Sequence, residues 1–240
     1  MKKSITLILI VLFMGCKTEK IDPNKIIYDL FISNRTPPAN GSSIVDIAVQ
    51  LDPTADDDKR EVVFHTSAGT FTGNKDTLFT RKAEYIDGKL TANVKLSIPM
   101  SPTKIYLTVK PASTSRFNSF NLKDSLEAIL VAPDKIKLSP SALAVSTGFS
   151  GEVLLTATLS RNGDNVSRGT KVLFEDFLTN GQPANGRYRM VKASSDASSV
   201  ATCYYSPNYL TPGTDILIKC TYIDNVSIKD SCFINVVPKN

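Results

Sequence analysis

The stretch Val45-Asp46-Ile47-Ala48-Val49-Gln50-Leu51 alternates large apolar residues with small or polar ones. A period of two puts Val45, Ile47, Val49 and Leu51 on one side of an extended chain, which describes a strand with a single buried face. In the second half of the chain Val153-Leu154-Leu155-Thr156-Ala157-Thr158-Leu159 has the same arrangement, with Val153, Leu155, Ala157 and Leu159 on the apolar side.

Working outward from these two strands, the halves stay in step. Each is followed by a polar loop (Asp52 to Lys59; Ser160 to Gly169) and then by a strand ending in phenylalanine, Val62-Val63-Phe64 and Val172-Leu173-Phe174. Asp87-Gly88 precedes a strand carrying Leu90, Ala92, Val94 and Leu96, and Asp196-Ala197 precedes one carrying Ala201, Cys203 and Tyr205. Ile105, Leu107 and Val109 then match Ile216, Ile218 and Cys220, and the last strands open on Asp124-Ser125-Leu126 and Asp230-Ser231-Cys232. Matching elements in the same order mark two copies of one domain, residues 26–132 and 135–238. Short strands bounded by turn residues, without a helical period, make the fold class all-β, with each copy a sandwich of two antiparallel sheets. The linker Ala132-Pro133-Asp134 is short and contains a proline, so the pair is expected to form a stiff rod.

Asn40-Gly41-Ser42-Ser43 before a strand, Val63-Phe64-His65-Thr66-Ser67-Ala68-Gly69-Thr70-Phe71, Asp87-Gly88-Lys89-Leu90-Thr91-Ala92 and, more loosely, Gly169-Thr170-Lys171-Val172-Leu173-Phe174 resemble the bacterial immunoglobulin-like repeats of invasin and intimin. The resemblance rests on turn and core residues. It implies two tandem immunoglobulin-like sandwiches, a role in adhesion or spacing, and no shared catalytic residues.

The chain opens with Lys2 and Lys3, runs through an apolar stretch from Ile5 to Phe13 and reaches Gly15-Cys16. A basic start followed by an apolar run too short to span a bilayer is a secretory signal. Phe13-Met14-Gly15-Cys16 resembles the lipobox of bacterial lipoproteins, with Phe13 where that pattern usually has leucine. This implies a signal peptide over residues 1–15, lipidation of Cys16 and attachment to a membrane through its acyl chains. Residues 16–25, polar and containing Asp22-Pro23-Asn24, read as a tether. The expected location is the cell envelope, lipid-anchored at the outer membrane, with the face left open.

Without Lys2 and Lys3 the chain has 26 basic and 23 acidic residues, a formal charge of +3. So slight an excess gives no basic stripe for nucleic acid. His65 is the sole histidine, and alternation turns it away from Val62 and Phe64 toward solvent. Asp56-Asp57-Asp58 followed by Lys59-Arg60 reads as a solvated charged loop rather than a calcium site, because three adjacent aspartates cannot converge on one ion. No catalytic, metal or cofactor constellation stands out, and the reading is non-enzymatic.

Two sets of residues are candidates for chemistry. Tyr204, Tyr209 and Tyr222 lie in or near the later strands of the second copy, where tyrosines either stack on a ligand or brace a loop. Cys203, Cys220 and Cys232 replace core aliphatics; laid over the first copy they fall at Val94, Val109 and Leu126. Cys220 and Cys232, on the last two strands of one sheet, are the pair expected to bridge if any does, with Cys203 in the facing sheet, buried and free. The leading expectation is a cell-envelope lipoprotein whose tandem domains act as a spacer or as an adhesion module toward an unidentified protein partner. The alternative is glycan capture beside an outer-membrane uptake system.

Overall fold

A computed structural model describes residues 26–55, 57–112 and 122–239 of the chain. The signal segment 1–15, Cys16 and the tether 16–25 lie outside the described residues, as does Asp56.

The first half contributes β1 (Ile27–Ile32), β2 (Ile44–Leu51), β3 (Glu61–Thr66), β4 (Thr70–Phe71), β5 (Leu78–Lys82), β6 (Glu84–Ile86), β7 (Lys89–Ser97), β8 (Thr103–Pro111) and β9 (Leu122–Ala128). One sheet runs β1-β2-β7, with β4 and β6 sharing the outer edge of β7, and the facing sheet runs β5-β3-β8-β9. Alternation sets the faces as the sequence requires. Val45, Ile47, Val49 and Leu51 are buried, as are Val62, Phe64 and Thr66, while His65 points outward. Phe64 meets Phe71 edge-on, with ring centres 6.2 Å apart. Asp87 and Gly88 join β6 to β7 with φ of 49° and 75°, the doubly left-handed turn whose twist suits a two-residue hairpin. The carboxylate of Asp124 on β9 accepts from both Arg35 Nη1 (2.8 Å) and Nη2 (2.7 Å), and this guanidinium holds the carboxyl below its ordinary pKa.

The second half contributes β10 (Lys135–Pro140), β11 (Ala144–Ser146), β12 (Val153–Ser160), β13 (Val172–Leu178), β14 (Arg187–Lys192), β15 (Val200–Ser206), β16 (Asp215–Tyr222) and β17 (Lys229–Val237). Its sheets are β10-β12-β15-β14 and β11-β17-β16-β13. The ladders are antiparallel except for the short β11–β17 pairing, which is parallel. Two separate hydrophobic cores result, one drawn from Ile26 to Ala128 and the other from Ile136 to Val236. The fourth major strand differs between the halves, since β5 pairs with β3 whereas β14 crosses to the opposite sheet and pairs with β15.

Strand registers confirm most of the internal repeat and correct one element of it. Ile47 lies opposite Val94 as Leu155 lies opposite Cys203, and Phe64 lies opposite Val109 as Phe174 lies opposite Cys220. The last strand departs. Leu126 faces Ile105, and the residue facing the matching Ile216 is Ile234, not Cys232. The shared Asp-Ser dipeptide is therefore offset by two residues, a slip that keeps every side chain on its own face and leaves the apolar pattern unchanged.

The two halves meet around Ser167, which is fully buried. Its hydroxyl donates to the Ala39 carbonyl (2.7 Å) and accepts from the Val131 N–H (2.8 Å), and its own N–H donates to the Val131 carbonyl (3.1 Å). Arg168 N–H donates to the Met100 carbonyl at 2.9 Å, and Arg161 Nη1 reaches the Ala132 carbonyl at 3.2 Å. In the linker, Asp134 N–H bonds the Ser160 carbonyl at 3.0 Å and its carboxylate accepts from Asn162 N–H at 2.9 Å.

Candidate binding surface

The edge strand β14 pairs with β15 so that Arg187 lies opposite Ser206, Tyr188 opposite Tyr205 and Arg189 opposite Tyr204. Alternation then divides the residues between two faces. Tyr205 turns inward and is fully buried, with the Tyr188 ring against it at 5.2 Å. The Tyr205 hydroxyl donates to Asp176 Oδ2 at 2.9 Å, and Gly186 N–H donates to the same oxygen at 2.7 Å. Burial, with Asp176 nearby, pushes both tyrosine hydroxyls well above their ordinary pKa, so both stay protonated; Tyr205 donates to Asp176, while the Tyr188 hydroxyl has no hydrogen-bond partner among the described residues. This buried cluster fixes the edge strand to the core.

On the outer face Arg189 pairs with Glu152 at 2.8 Å. Arg187 makes no ion pair or hydrogen bond among the described residues; its guanidinium lies over the Phe149 ring, 5.2 Å from the centroid. Phe149 in turn meets Tyr209 edge-on at 5.9 Å and 88°. Tyr209 is 80% exposed.

The loop that carries Phe149 is held from several directions. Gly148 N–H donates to the Asn208 carbonyl (3.1 Å) and Phe149 N–H to the Pro207 carbonyl (2.9 Å). Thr147 Oγ1 donates to the Leu210 carbonyl at 2.6 Å and accepts from Leu210 N–H at 3.0 Å. Both Gly148 (φ 70°) and Phe149 (φ 58°) are left-handed, which a phenylalanine adopts only where its surroundings enforce it. A side chain at Gly148 would come within 2.8 Å of the Tyr209 ring, so the glycine makes room for that ring against the backbone. The Phe149 and Tyr209 rings and the Arg187 guanidinium are thus held together by the loop's own contacts.

Of the three tyrosines singled out in the sequence, this surface unites two. Tyr204 is 37% exposed and adjoins Arg189, and Tyr209 tops the cluster, whereas Tyr222 is 4% exposed and faces the core from β16 in the opposite sheet. Tyr222 continues the inward row Ile216, Ile218, Cys220, and that spacing of two could have placed it inside. Phe149 and Arg187 went unnoticed in the sequence; an aromatic flanked by Gly148 and Gly151 was the available signal.

Among the described residues, Cys203, Cys220 and Cys232 are free thiols. Cys203 is buried in one sheet and Cys220 in the facing one; Cys232 is half-buried. Cys220 lies opposite Asp230 and Cys232 opposite Ile218, so the two are a diagonal pair. Diagonal neighbours stand about 7–8 Å apart, beyond the usual Cα separation of a disulfide. Burial pushes Cys203 and Cys220 up to about 12 and Cys232 up to about 11. In the acidic loop Asp57 pairs with Lys82 at 2.7 Å and with Arg60 at 3.6 Å. A cleft of about 530 Å³ opens in the first half beside Phe31, Phe71, Phe79 and Arg81.

No protein-family model matches the sequence, and neither does any curated protein. Solved structures do match. This is an immunoglobulin-like fold. Invasin, described as a bacterial integrin-binding protein, superposes with a TM-score of 0.61 at 14% identity over 88% of this chain. The Yersinia pseudotuberculosis adhesin InvE superposes with a TM-score of 0.52 at 12% identity over 90% of it. The chain spans 61% of the InvE structure and 39% of the invasin structure.

Proposed function

We propose that this protein is a non-enzymatic lipoprotein of the cell envelope whose paired immunoglobulin-like domains hold a contact surface away from the membrane. The observation that carries the reading is where Arg187, Phe149 and Tyr209 lie. Ser160 and Ser199, at the ends of β12 and before β15, adjoin the linker and the junction, while Phe149 and Ser206 lie at the opposite ends of the same strands. Ile27, nearest the proposed tether, is on the far side of the first sandwich, against Leu51. The cluster therefore stands at the opposite end of the described residues from Ile27.

A pure spacer needs no preorganised aromatic cluster at its tip, and this favours the adhesion side of the reading. The fold likeness to two bacterial adhesins supports it. Beads coated with the full-length protein should be retained by target cells, and Tyr209→Ala should release them without lowering the unfolding temperature. Equal retention of beads carrying the wild type, Tyr209→Ala or no protein would leave only the spacer.

A further inference from the structure

We propose that the Arg187–Phe149–Tyr209 shelf binds a carboxylated sugar, a uronic or sialic acid unit of an anionic glycan. This inference rests on the contact-surface reading and names its ligand.

Charge is the first argument. The four strands of this sheet contain Lys135, Lys137, Arg187, Arg189 and Lys192 and no aspartate or glutamate. Glu152, just before β12, neutralises Arg189. Arg187 is left as a cation over the Phe149 ring, without an ion pair or hydrogen bond among the described residues. A guanidinium presents paired donors that match the two oxygens of a carboxylate.

Shape is the second. Tyr209 lies against Gly148 and meets Phe149 at a near right angle, while most of its surface is exposed. An open aromatic face beside a fixed guanidinium suits a ring with an apolar C–H face and a carboxylate at its rim. An acidic peptide would satisfy the cation and leave the flat ring unused. In the register of the sheet Arg187 lies opposite Ser206, whose hydroxyl is buried without a hydrogen-bond partner among the described residues.

Binding of the full-length protein, in mild detergent, can be measured to paired oligosaccharides ending in glucuronate or in glucose. The glucuronate form should bind about tenfold more tightly or better, the ratio a charge-assisted hydrogen-bond pair supplies, and the preference should shrink as salt rises. Arg187→Gln should abolish the preference. Tyr209→Ala should weaken both ligands, and Tyr209→Phe should retain both. The exposed positions of these residues keep the fold out of question, and circular dichroism verifies it. Equal binding of the two sugars, or an unchanged preference in Arg187→Gln, overturns the proposal. So does Arg187-dependent binding of a polyglutamate peptide with no sugar binding, which would identify an acidic protein segment and leave the bead-retention result standing. Absence of binding to every probe while beads are still retained refutes the sugar and spares the contact surface.

Discussion

Ser167→Ala removes one oxygen from the place where the two halves and their linker meet. The Val131 N–H and the Ala39 carbonyl both lose their partner, and both belong to the segments preceding the second sandwich. Ala39 is fully buried and Val131 is 8% exposed, so water can reach little of either. An unsatisfied buried backbone group costs about 1–3 kcal/mol, and two of them, with some hydration of Val131, make a loss of about 2–4 kcal/mol. Because the lost bonds cross the junction, the loss should appear as weakened coupling between the halves. Urea unfolding followed by circular dichroism suits a chain that contains no tryptophan. The wild type should unfold with its halves coupled, and the variant should separate into two transitions. Small-angle scattering should show a broadened distribution of intramolecular distances. Unfolding within about 0.5 kcal/mol of the wild type, the range of an ordinary surface substitution, together with a superimposable scattering curve, would refute the view that Ser167 locks the joint.

Cys16→Ser should move the protein from the detergent phase to the aqueous phase and abolish labelling by a fatty-acid analogue; unchanged partitioning would exclude lipidation at that residue. Asp124 is held below its ordinary pKa of 3.8 by Arg35, so its contribution to stability is present above that pH and is lost as pH falls through the lower folded value. Thermal scans of the wild type should show this acid sensitivity and those of Asp124→Asn should lack that component; identical pH profiles would count against the ion pair. Alkylation at neutral pH should reach Cys232 before Cys203 and Cys220, following its partial exposure, and simultaneous labelling would contradict the burial order. Mass mapping of the unreduced protein should find no Cys220–Cys232 peptide, and finding one would mean that β17 can shift along β16.

The sandwiches were legible because both halves bury one face of each central strand. Val45 to Leu51 and Val153 to Leu159 declare that face residue by residue. The edge strands declared little. In β5 and β14 nearly every residue is exposed, so there is no apolar period to read. Register was the second blind spot, since a shift of two residues at Asp230-Ser231-Cys232 preserves the pattern and only hydrogen-bonded partners reveal it. At the candidate surface Tyr209 was legible as an aromatic in a proline-containing loop. Phe149 and Arg187 were not, because they come from separate segments that the β14–β15 pairing and the clipped loop at Thr147 bring together.

The path of β1 has a mechanical consequence. The strand begins beside Leu51, runs toward the junction and reaches Ile47 at Ile32. Tension applied between Ile27 and the far tip of the second half acts along that strand. Its ladder with β2 lies across the pull, so the hydrogen bonds share the load in shear and must slide together instead of peeling in sequence. The bonds at Ser167 stand in series with that ladder, and the force needed to pull the molecule apart is set by whichever of the two yields first.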